Sequence, residues 1–140
     1  MDTSNLPWLD FNTLKRWADE AAQQPPCAAC ARLLRPGWES LAQADQAAHL
    51  QACGTLRADP HSEPDSEPSL SEYHPAGTRY WSPEAPIAPG WFPYNRCELW
   101  RCSSCAQAFL RYTEYGGYYQ EARIRALQAG LLVDAGVAAG

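Results

Sequence analysis

The apolar side chains between residues 10 and 24 recur every three or four positions. This spacing predicts an amphipathic helix, with Asp10 or Asn12 as its N-cap and Pro25-Pro26 as its end. A short helical piece is expected at 31–34. Residues 38–52 then predict a further helix, in one or two parts, that ends at Gly54 as a C-cap.

The pattern changes in the last third of the chain. Residues 96–102 alternate and residues 108–115 are aromatic and β-prone, so the two predict a β-hairpin joined by the letters CSSCAQ. Gly116-Gly117 predicts a turn, and 118–129 shows the apolar spacing of a helix. The predicted fold class is α+β: an N-terminal helical zinc knuckle and a small antiparallel β-hairpin or sheet packed on a C-terminal helix.

The middle of the chain has no regular period. Residues 59–75 are rich in serine, proline and acidic side chains and predict a loop. Residues 76–95 place prolines between aromatic side chains and predict an extended strap packed on the rest of the protein. With 1–58 as the helical zinc-binding part and 96–140 as the hairpin and helix, the 140 residues are expected to form one domain.

The charge is concentrated in one segment. Of the net charge of −5, residues 59–95 contribute −5 (six acids against Arg79), residues 1–58 contribute −1 and residues 96–140 contribute +1. A general nucleic-acid binder needs a basic face, because phosphate contacts supply most of its affinity. The even balance of the two flanking parts therefore argues against that function.

The chain begins with neither a basic stretch nor an apolar stretch of the signal-peptide kind, and it has no run of 18 apolar residues. These features predict a cytoplasmic protein without membrane contact, in which thiols stay reduced. The composition, rich in alanine and arginine with Lys15 as the single lysine, is typical of bacteria with GC-rich genomes. A reducing compartment favours metal binding or simple burial for the six cysteines over disulfides.

Two cysteine-containing pairs have the spacing of metal ligands. Cys27-x2-Cys30 fits a tight knuckle, and His49-x3-Cys53 would lie on one face of a helix. Together they predict a closed structural Zn²⁺ site of three cysteines and one histidine. A Cys27–Cys30 disulfide, buried unliganded thiols and an ordinary surface histidine are the alternatives.

A second group of cysteines follows in the predicted hairpin. Cys102-x2-Cys105 resembles the rubredoxin-like knuckle of zinc ribbons over about ten residues, although the usual glycine after the second cysteine is Ala106. Strand alternation points Cys97 and Cys102 to opposite faces. A second metal site would therefore need another ligand beside Cys102 and Cys105, such as His74, His61 or a carboxylate.

A different combination joins the two x2 pairs into one four-cysteine site of Cys27, Cys30, Cys102 and Cys105. It leaves His49 and Cys53 unused, so the sequence favours the local site over it.

The function expected from this site is not catalytic. A zinc ion with four protein ligands has no position for water or substrate. The sequence contains no recognised hydrolase, P-loop or dinucleotide motif, and His49 lacks the glutamate two residues later that zinc deaminases use. The remaining enzymatic alternative is a site near Glu114 and Tyr115.

The segment RYTEYGGYY is the strongest candidate for a partner surface, because tyrosine and arginine are enriched at interaction hot spots. A purely structural role, with tyrosines packing a sheet, is the alternative. The sequence favours an adaptor or a toxin-neutralising immunity protein that binds a protein partner. The runner-up is a zinc-knuckle protein that contacts nucleic acid through the CSSC knuckle and through Arg96, Arg101, Arg111, Arg123 and Arg125. The candidate partner-binding residues are Trp91, Arg111, Tyr112, Glu114, Tyr115, Tyr118 and Tyr119.

Overall fold

The computed structural model describes residues 6–57 and 69–137, so most of the predicted acidic loop lies outside the described residues. The described chain contains two helices and five strands. The helices are α1 (Phe11–Ala22) and α2 (Ala28–Ala31), and the strands are β1 (Glu39–Ser40), β2 (Leu50–Thr55), β3 (Glu98–Cys102), β4 (Ala108–Tyr115) and β5 (Gln120–Ala126). Single 3-10 turns lie at Ala44–Ala47 and Tyr94–Arg96.

The five strands form one antiparallel sheet in the order β1-β5-β4-β3-β2. Strands β3, β4 and β5 follow one another through short turns, so the centre of the sheet is built from consecutive hairpins. Strand β2 adds to one side of it and the two-residue β1 adds to the other. The prediction of a mixed α and β protein with an antiparallel sheet is confirmed.

Helix α1 forms where the sequence predicts it. The Asp10 side chain accepts a hydrogen bond from the Thr13 backbone N–H at 2.8 Å, which satisfies a free donor at the helix start. The same bond lowers the pKa of the Asp10 carboxyl. Leu14, Ala18 and Ala21 are buried, so the apolar stripe faces the sheet as its period indicates.

The helix predicted for residues 38–52 is wrong. This stretch forms β1, a 3-10 turn and the start of β2 instead, because pairing with β5 and β3 satisfies its backbone groups. Gly54 is therefore a strand residue and not a helix cap. It lies against Leu9, and a Cβ atom at this position would fall 2.4 Å from the Leu9 Cγ. The absence of a side chain is what lets Leu9 pack there.

The predicted C-terminal helix is also wrong, because residues 120–126 form strand β5. The turn at Gly116-Gly117 folds β5 back on β4, and seven residue pairs join the two strands, from Phe109 with Ala126 to Tyr115 with Gln120. Ile124 and Ala126 are two positions apart and point to the same face of the sheet. The apolar residues of such a short stretch fit both the helical and the strand period, and pairing with β4 makes this stretch a strand.

The sheet has a core on each face. On the first face, Leu99, Leu110 and Tyr112 pack against α1 and residues 80–94. On the second face, Phe109 and Ile124 pack against the cysteine-bearing segments. Because both faces are covered, the strands lack the clean apolar and polar alternation of a half-exposed sheet.

The segment 76–95 crosses the first face without forming a strand. Ala85 and Ile87 have no exposed surface, and Ile87 exchanges backbone hydrogen bonds with Leu131 and Val133 of the C-terminal segment at 2.8 and 3.0 Å. The prolines and aromatic side chains of this stretch thus cover the sheet as an extended strap. In the described part of the chain, no helix is long and apolar enough to cross a membrane.

Candidate metal centre

Four cysteine sulfurs converge on the second face of the sheet. The Sγ atoms of Cys27, Cys30, Cys102 and Cys105 all lie within 4.8 Å of one another, and those of Cys27 and Cys102 are 3.9 Å apart. A tetrahedral site with metal–sulfur bonds of about 2.3 Å places its sulfurs about 3.8 Å apart. The 3.9 Å separation is also far longer than a disulfide bond. The four thiols thus have the arrangement of a group that can hold one metal ion.

The first two ligands come from the short helix α2. Pro25-Pro26 ends α1, and Cys27 continues in an extended conformation as the N-cap of α2. The Ala31 backbone N–H donates to the Cys27 carbonyl at 2.8 Å, and that of Leu33 donates to the Cys30 carbonyl at 2.9 Å. This single tight turn brings both sulfurs to the same side.

The other two ligands come from the turn between β3 and β4. The Cys102 backbone N–H donates to the Gln107 carbonyl at 3.0 Å, and the Ala106 N–H donates to the Cys102 carbonyl at 3.1 Å. Ala106 has a φ of 64°, in the left-handed region that glycine adopts readily and alanine does not. The turn therefore holds an alanine in the backbone conformation that glycine favours.

Gln107 fixes this turn to the end of helix α1. Its buried side-chain amide donates to the carbonyls of Ala21 and Gln24, at 2.9 and 3.0 Å. Helix α1 ends at Ala22, so the carbonyls at its end lack the i+4 donors of a longer helix; the Ala21 carbonyl also accepts the Gln24 backbone N–H at 3.3 Å. One side chain thus holds the two cysteine-bearing segments at a fixed separation, although they lie about 75 residues apart in the chain.

The protein environment already favours a thiolate at Cys102. Burial raises the pKa of this thiol, but hydrogen bonds from the backbone N–H groups of Ser104 and Cys105 and contacts with Cys30 and Cys105 outweigh it and bring the pKa to about 7. For Cys30, burial and the neighbouring cysteines Cys105, Cys27 and Cys102 all raise the pKa. A bound cation is therefore needed before all four of these closely spaced thiols can become thiolates.

Replacing Ala106 with glycine should stabilise the protein. An alanine in the left-handed region costs about 1–2 kcal/mol, and the extra freedom of glycine in the unfolded chain takes back about 0.5–1 kcal/mol. We expect a net gain of about 0.5–1 kcal/mol and a Tm about 2–3 °C higher in thermal unfolding. Ala76→Gly, at an exposed alanine with an ordinary φ, is the control and should lower the Tm slightly. An Ala106→Gly protein less stable than the wild type would contradict this account.

Only part of the ligand set favoured by the sequence is brought together. Cys27 and Cys30 meet Cys102 and Cys105, and not Cys53, so the structure has the arrangement that the sequence ranked second. Cys53 lies at a β-bulge between Ala52 and Gly54, where its Sγ donates to the Gln51 carbonyl at 3.3 Å. The i, i+4 argument required a helix at 49–53, and in a strand these positions lie about 13 Å apart.

His49 is a neighbour of the cluster. Its Nε2 lies 3.3 Å from the Cys30 Sγ, close enough for a hydrogen bond to that sulfur. It is not among the side chains whose ligand atoms all lie within 4.8 Å of one another. The position suits a residue that orients a metal-bound thiolate without binding the ion.

Of the residues suggested for a second metal site, Cys102 and Cys105 lie in the four-cysteine group, whereas His74 is not a member of it. His61, the other histidine suggested there, lies outside the described residues. His74 is held by Thr78 through Nδ1 and by Glu72 through Nε2, each at 2.7 Å. Cys97 packs in the first core, and its Sγ donates to the Pro93 carbonyl at 3.2 Å, while Cys102 lies in the second core. The expectation that Cys97 and Cys102 point to opposite faces is confirmed.

Four of the candidate partner-binding residues have contacts within the protein. Tyr112 is buried in the first core, where burial raises the pKa of its hydroxyl. Trp91 donates from Nε1 to the Ala135 carbonyl, and Arg111 lies over the Trp100 ring. The Glu114 carboxylate accepts hydrogen bonds from the Arg123 guanidinium at 2.7 and 2.9 Å. Tyr112 in particular does not present its ring to solvent.

The other three candidates lie on the surface at the turn between β4 and β5. Tyr115 is 73% exposed, Tyr118 is fully exposed and Tyr119 is 53% exposed. The Tyr119 ring also rests against Gly116, where a Cβ atom would lie 2.2 Å from it, so this residue helps to shape the turn. An exposed aromatic group at a sheet end is available for contact with another molecule.

The five arginines of the nucleic-acid alternative do not share one surface. Arg125 is buried, Arg101 pairs with Glu20 at 2.9 Å, and Arg123 pairs with Glu114 and Glu121. Arg96 and Arg111 line a pocket at the edge of the sheet. The chain therefore lacks a single basic face built from these residues.

Comparison with protein-family models, curated proteins and solved structures gives no significant match. The four-cysteine geometry consequently carries the assignment, and it defines a candidate metal-binding protein with an antiparallel sheet.

Proposed function

We propose that this chain is a cytoplasmic, non-catalytic zinc protein that acts by binding a protein partner, as an adaptor or a toxin-neutralising immunity protein. Zinc is the metal that four thiolates in a tetrahedron favour. The observation that carries the proposal is the closed set of four sulfurs, since an ion held there has no open position for chemistry. Such a site stabilises a fold and leaves the activity to the surface.

The surface that supports partner binding is the group of three tyrosines at the turn between β4 and β5. Exposed large aromatic side chains are costly in water and are enriched where proteins meet. Arg123 bridges Glu114 and Glu121 across the two strands and so rigidifies the base of this turn. A rigid aromatic group loses little conformational freedom on binding.

The test uses the zinc-loaded protein as bait in the cells that produce it. We expect one or a few proteins to be captured by the wild type and lost with the double variant Tyr115→Ser/Tyr118→Ser. Tyr119 is left unchanged because its ring packs on Gly116. Trp81→Ser removes another exposed aromatic side chain, 53% exposed, outside this turn and is the control.

Capture that is unchanged in the double variant, or lost equally in Trp81→Ser, would contradict the proposed surface. The finer assignment to immunity proteins predicts that the captured protein is toxic when produced alone and harmless when produced with this chain. If the captured protein is harmless when produced alone, the immunity role is ruled out and the adaptor role remains.

A further inference from the structure

A second candidate site lies away from the cysteines, at the edge of the sheet. A pocket of about 370 Å³ is lined by three arginines, Arg57, Arg96 and Arg111, together with Glu98 and residues of strand β4. Arginine side chains thus form most of the charged lining of this pocket.

The pocket lies where strand β4 extends past its neighbour. Strand β3 begins at Glu98, which pairs with Arg111, whereas β4 continues to Tyr115. Within residues 6–57 and 69–137, no strand pairs with 113–115 on that side. The pocket therefore includes a stretch of sheet edge as well as side chains.

The backbone of this edge points its polar groups to the pocket side. The Leu127 N–H donates to Ala108 and the Gly116 N–H donates to Tyr119, so the even-numbered residues of β4 make their backbone hydrogen bonds with β5. The odd-numbered residues therefore direct theirs the other way. Thr113 and Tyr115, which both line the pocket, therefore direct their backbone N–H and C=O groups to that side.

Arg111 is held in place before any ligand arrives. Its guanidinium lies 4.2 Å from the centre of the Trp100 ring, and the Trp100 Nε1 donates to the Glu98 carboxylate at 3.2 Å. Among the described residues Arg111 forms no ion pair. A half-buried guanidinium stacked on an indole keeps its edge donors available to an anion.

We propose that this pocket binds a compact oxyanion, a carboxylate or a phosphate group, with Arg111 as the central ligand. Two parallel N–H donors of a guanidinium match two oxygens of either group, and the backbone N–H groups of the β4 edge add further donors. The volume exceeds that of the anion alone, so there is room for the group that carries it. The site shares Tyr115 with the proposed partner surface, but binding of the anion does not require that a protein partner is bound.

The test is a titration of the ¹⁵N-labelled, zinc-loaded protein at constant ionic strength, with inorganic phosphate in one arm and glutarate in the other. We expect saturable shifts of the Thr113 and Tyr115 amides and of the Arg111 Nε–H signal. Arg111→Gln should weaken binding at least about tenfold. Arg111→Lys should weaken binding less, because lysine keeps the positive charge and lacks only the parallel N–H donors of a guanidinium.

Arg101→Gln is the matched control. Arg101 also lies over a tryptophan ring, 4.5 Å from the centre of Trp17, but it pairs with Glu20 and does not line the pocket. Its loss should leave both titrations unchanged. Tighter binding of phosphate would indicate a phosphorylated ligand, and tighter binding of glutarate a carboxylate ligand. Absence of saturable shifts in both arms, or equal weakening by Arg101→Gln and Arg111→Gln, would overturn the proposal.

Discussion

Replacing Cys102 with serine is expected to abolish zinc retention and to unfold much of the protein. Cys102 supplies one of four sulfurs within 4.8 Å of one another and has the thiol whose pKa the backbone N–H groups bring to about 7. Structural zinc sites contribute about 10–16 kcal/mol of binding free energy. Because the whole stability of a domain is about 5–15 kcal/mol, the loss of this contribution is large enough to unfold it.

The measurement combines elemental analysis with thermal unfolding. The wild type purified without added metal should carry about one zinc per chain, and Cys102→Ser should carry almost none and show a lower or absent unfolding transition. A strong chelator should bring the wild type to the same state as the variant. Zinc-free wild-type protein of undiminished stability would refute the assignment.

Cys53→Ser separates the two ligand sets. Cys53 is half-buried at the β2 bulge and makes one hydrogen bond, from its Sγ to the Gln51 carbonyl, which a serine hydroxyl can replace. We therefore expect this variant to keep its zinc and its Tm. If Cys53→Ser lost the metal and Cys102→Ser retained it, the local site of Cys27, Cys30, His49 and Cys53 would be the correct one.

Replacing Arg125 with methionine should cause the largest loss of stability outside the metal centre. Arg125 is 1% exposed, and its guanidinium donates to three backbone carbonyls: those of Pro36, Pro83 and Ala85, at 3.0–3.1 Å. It also donates to the Tyr94 hydroxyl. Methionine fills similar space but removes these donors. The Pro36 carbonyl keeps the Gln128 amide as a donor at 3.0 Å, whereas the Pro83 and Ala85 carbonyls lose the donor that Arg125 supplies, at about 1–3 kcal/mol for each group that stays unsatisfied.

We expect Arg125→Met to lower the free energy of unfolding by at least about 3 kcal/mol and the Tm by about 10 °C. Because Pro83 and Ala85 belong to the strap, its backbone should also open more often. Faster hydrogen exchange at the Ile87 and Val133 amides, which bond across the strap and the C-terminal segment, would report this. Arg125→Lys should be intermediate, since one ammonium has three donors on a single nitrogen.

Arg123→Gln is the matched control for Arg125, two residues earlier on the same strand. Arg123 is 22% exposed and pairs with Glu114 and Glu121, and exposed ion pairs contribute about 0–1 kcal/mol. Its replacement should therefore change the Tm little. Similar losses for Arg123→Gln and Arg125→Met would mean that charge balance on β5, and not the buried hydrogen bonds, stabilises this region.

The two large predictions concern opposite faces of one sheet. The cysteines hold α2 and the β3–β4 turn together on the second face, while Arg125 ties the strap and Pro36 to strand β5 on the first. Apart from helix α1, the segments that cover the two faces are short or irregular. A buried guanidinium, and the metal ion that we propose for the four cysteines, would supply the fixed connections that such irregular segments need.

The local features of the chain were predictable from the residues alone. The stripe of Leu14, Ala18 and Ala21 with the Asp10 cap defines α1, and the CSSC turn between β-prone stretches defines the β3–β4 hairpin. In both elements, residues close in sequence satisfy most of the backbone hydrogen bonds, so few distant contacts influence which structure forms. The four cysteines were also visible as two x2 pairs with the spacing of metal ligands.

The pairing of distant segments was decided only by the tertiary structure. The stretches at 38–52 and 118–129 carry apolar residues that fit a helix, and they become strands because β3 and β4 offer edges that satisfy their backbone hydrogen bonds. Once 50–55 is a strand, Cys53 turns away, and Cys102 and Cys105 approach Cys27 and Cys30 across about 75 residues of sequence. Spacing along the chain specifies each cysteine pair. Which two pairs can share an ion is determined by the tertiary structure, in which Gln107 fixes the β3–β4 turn to the end of α1, just before Cys27.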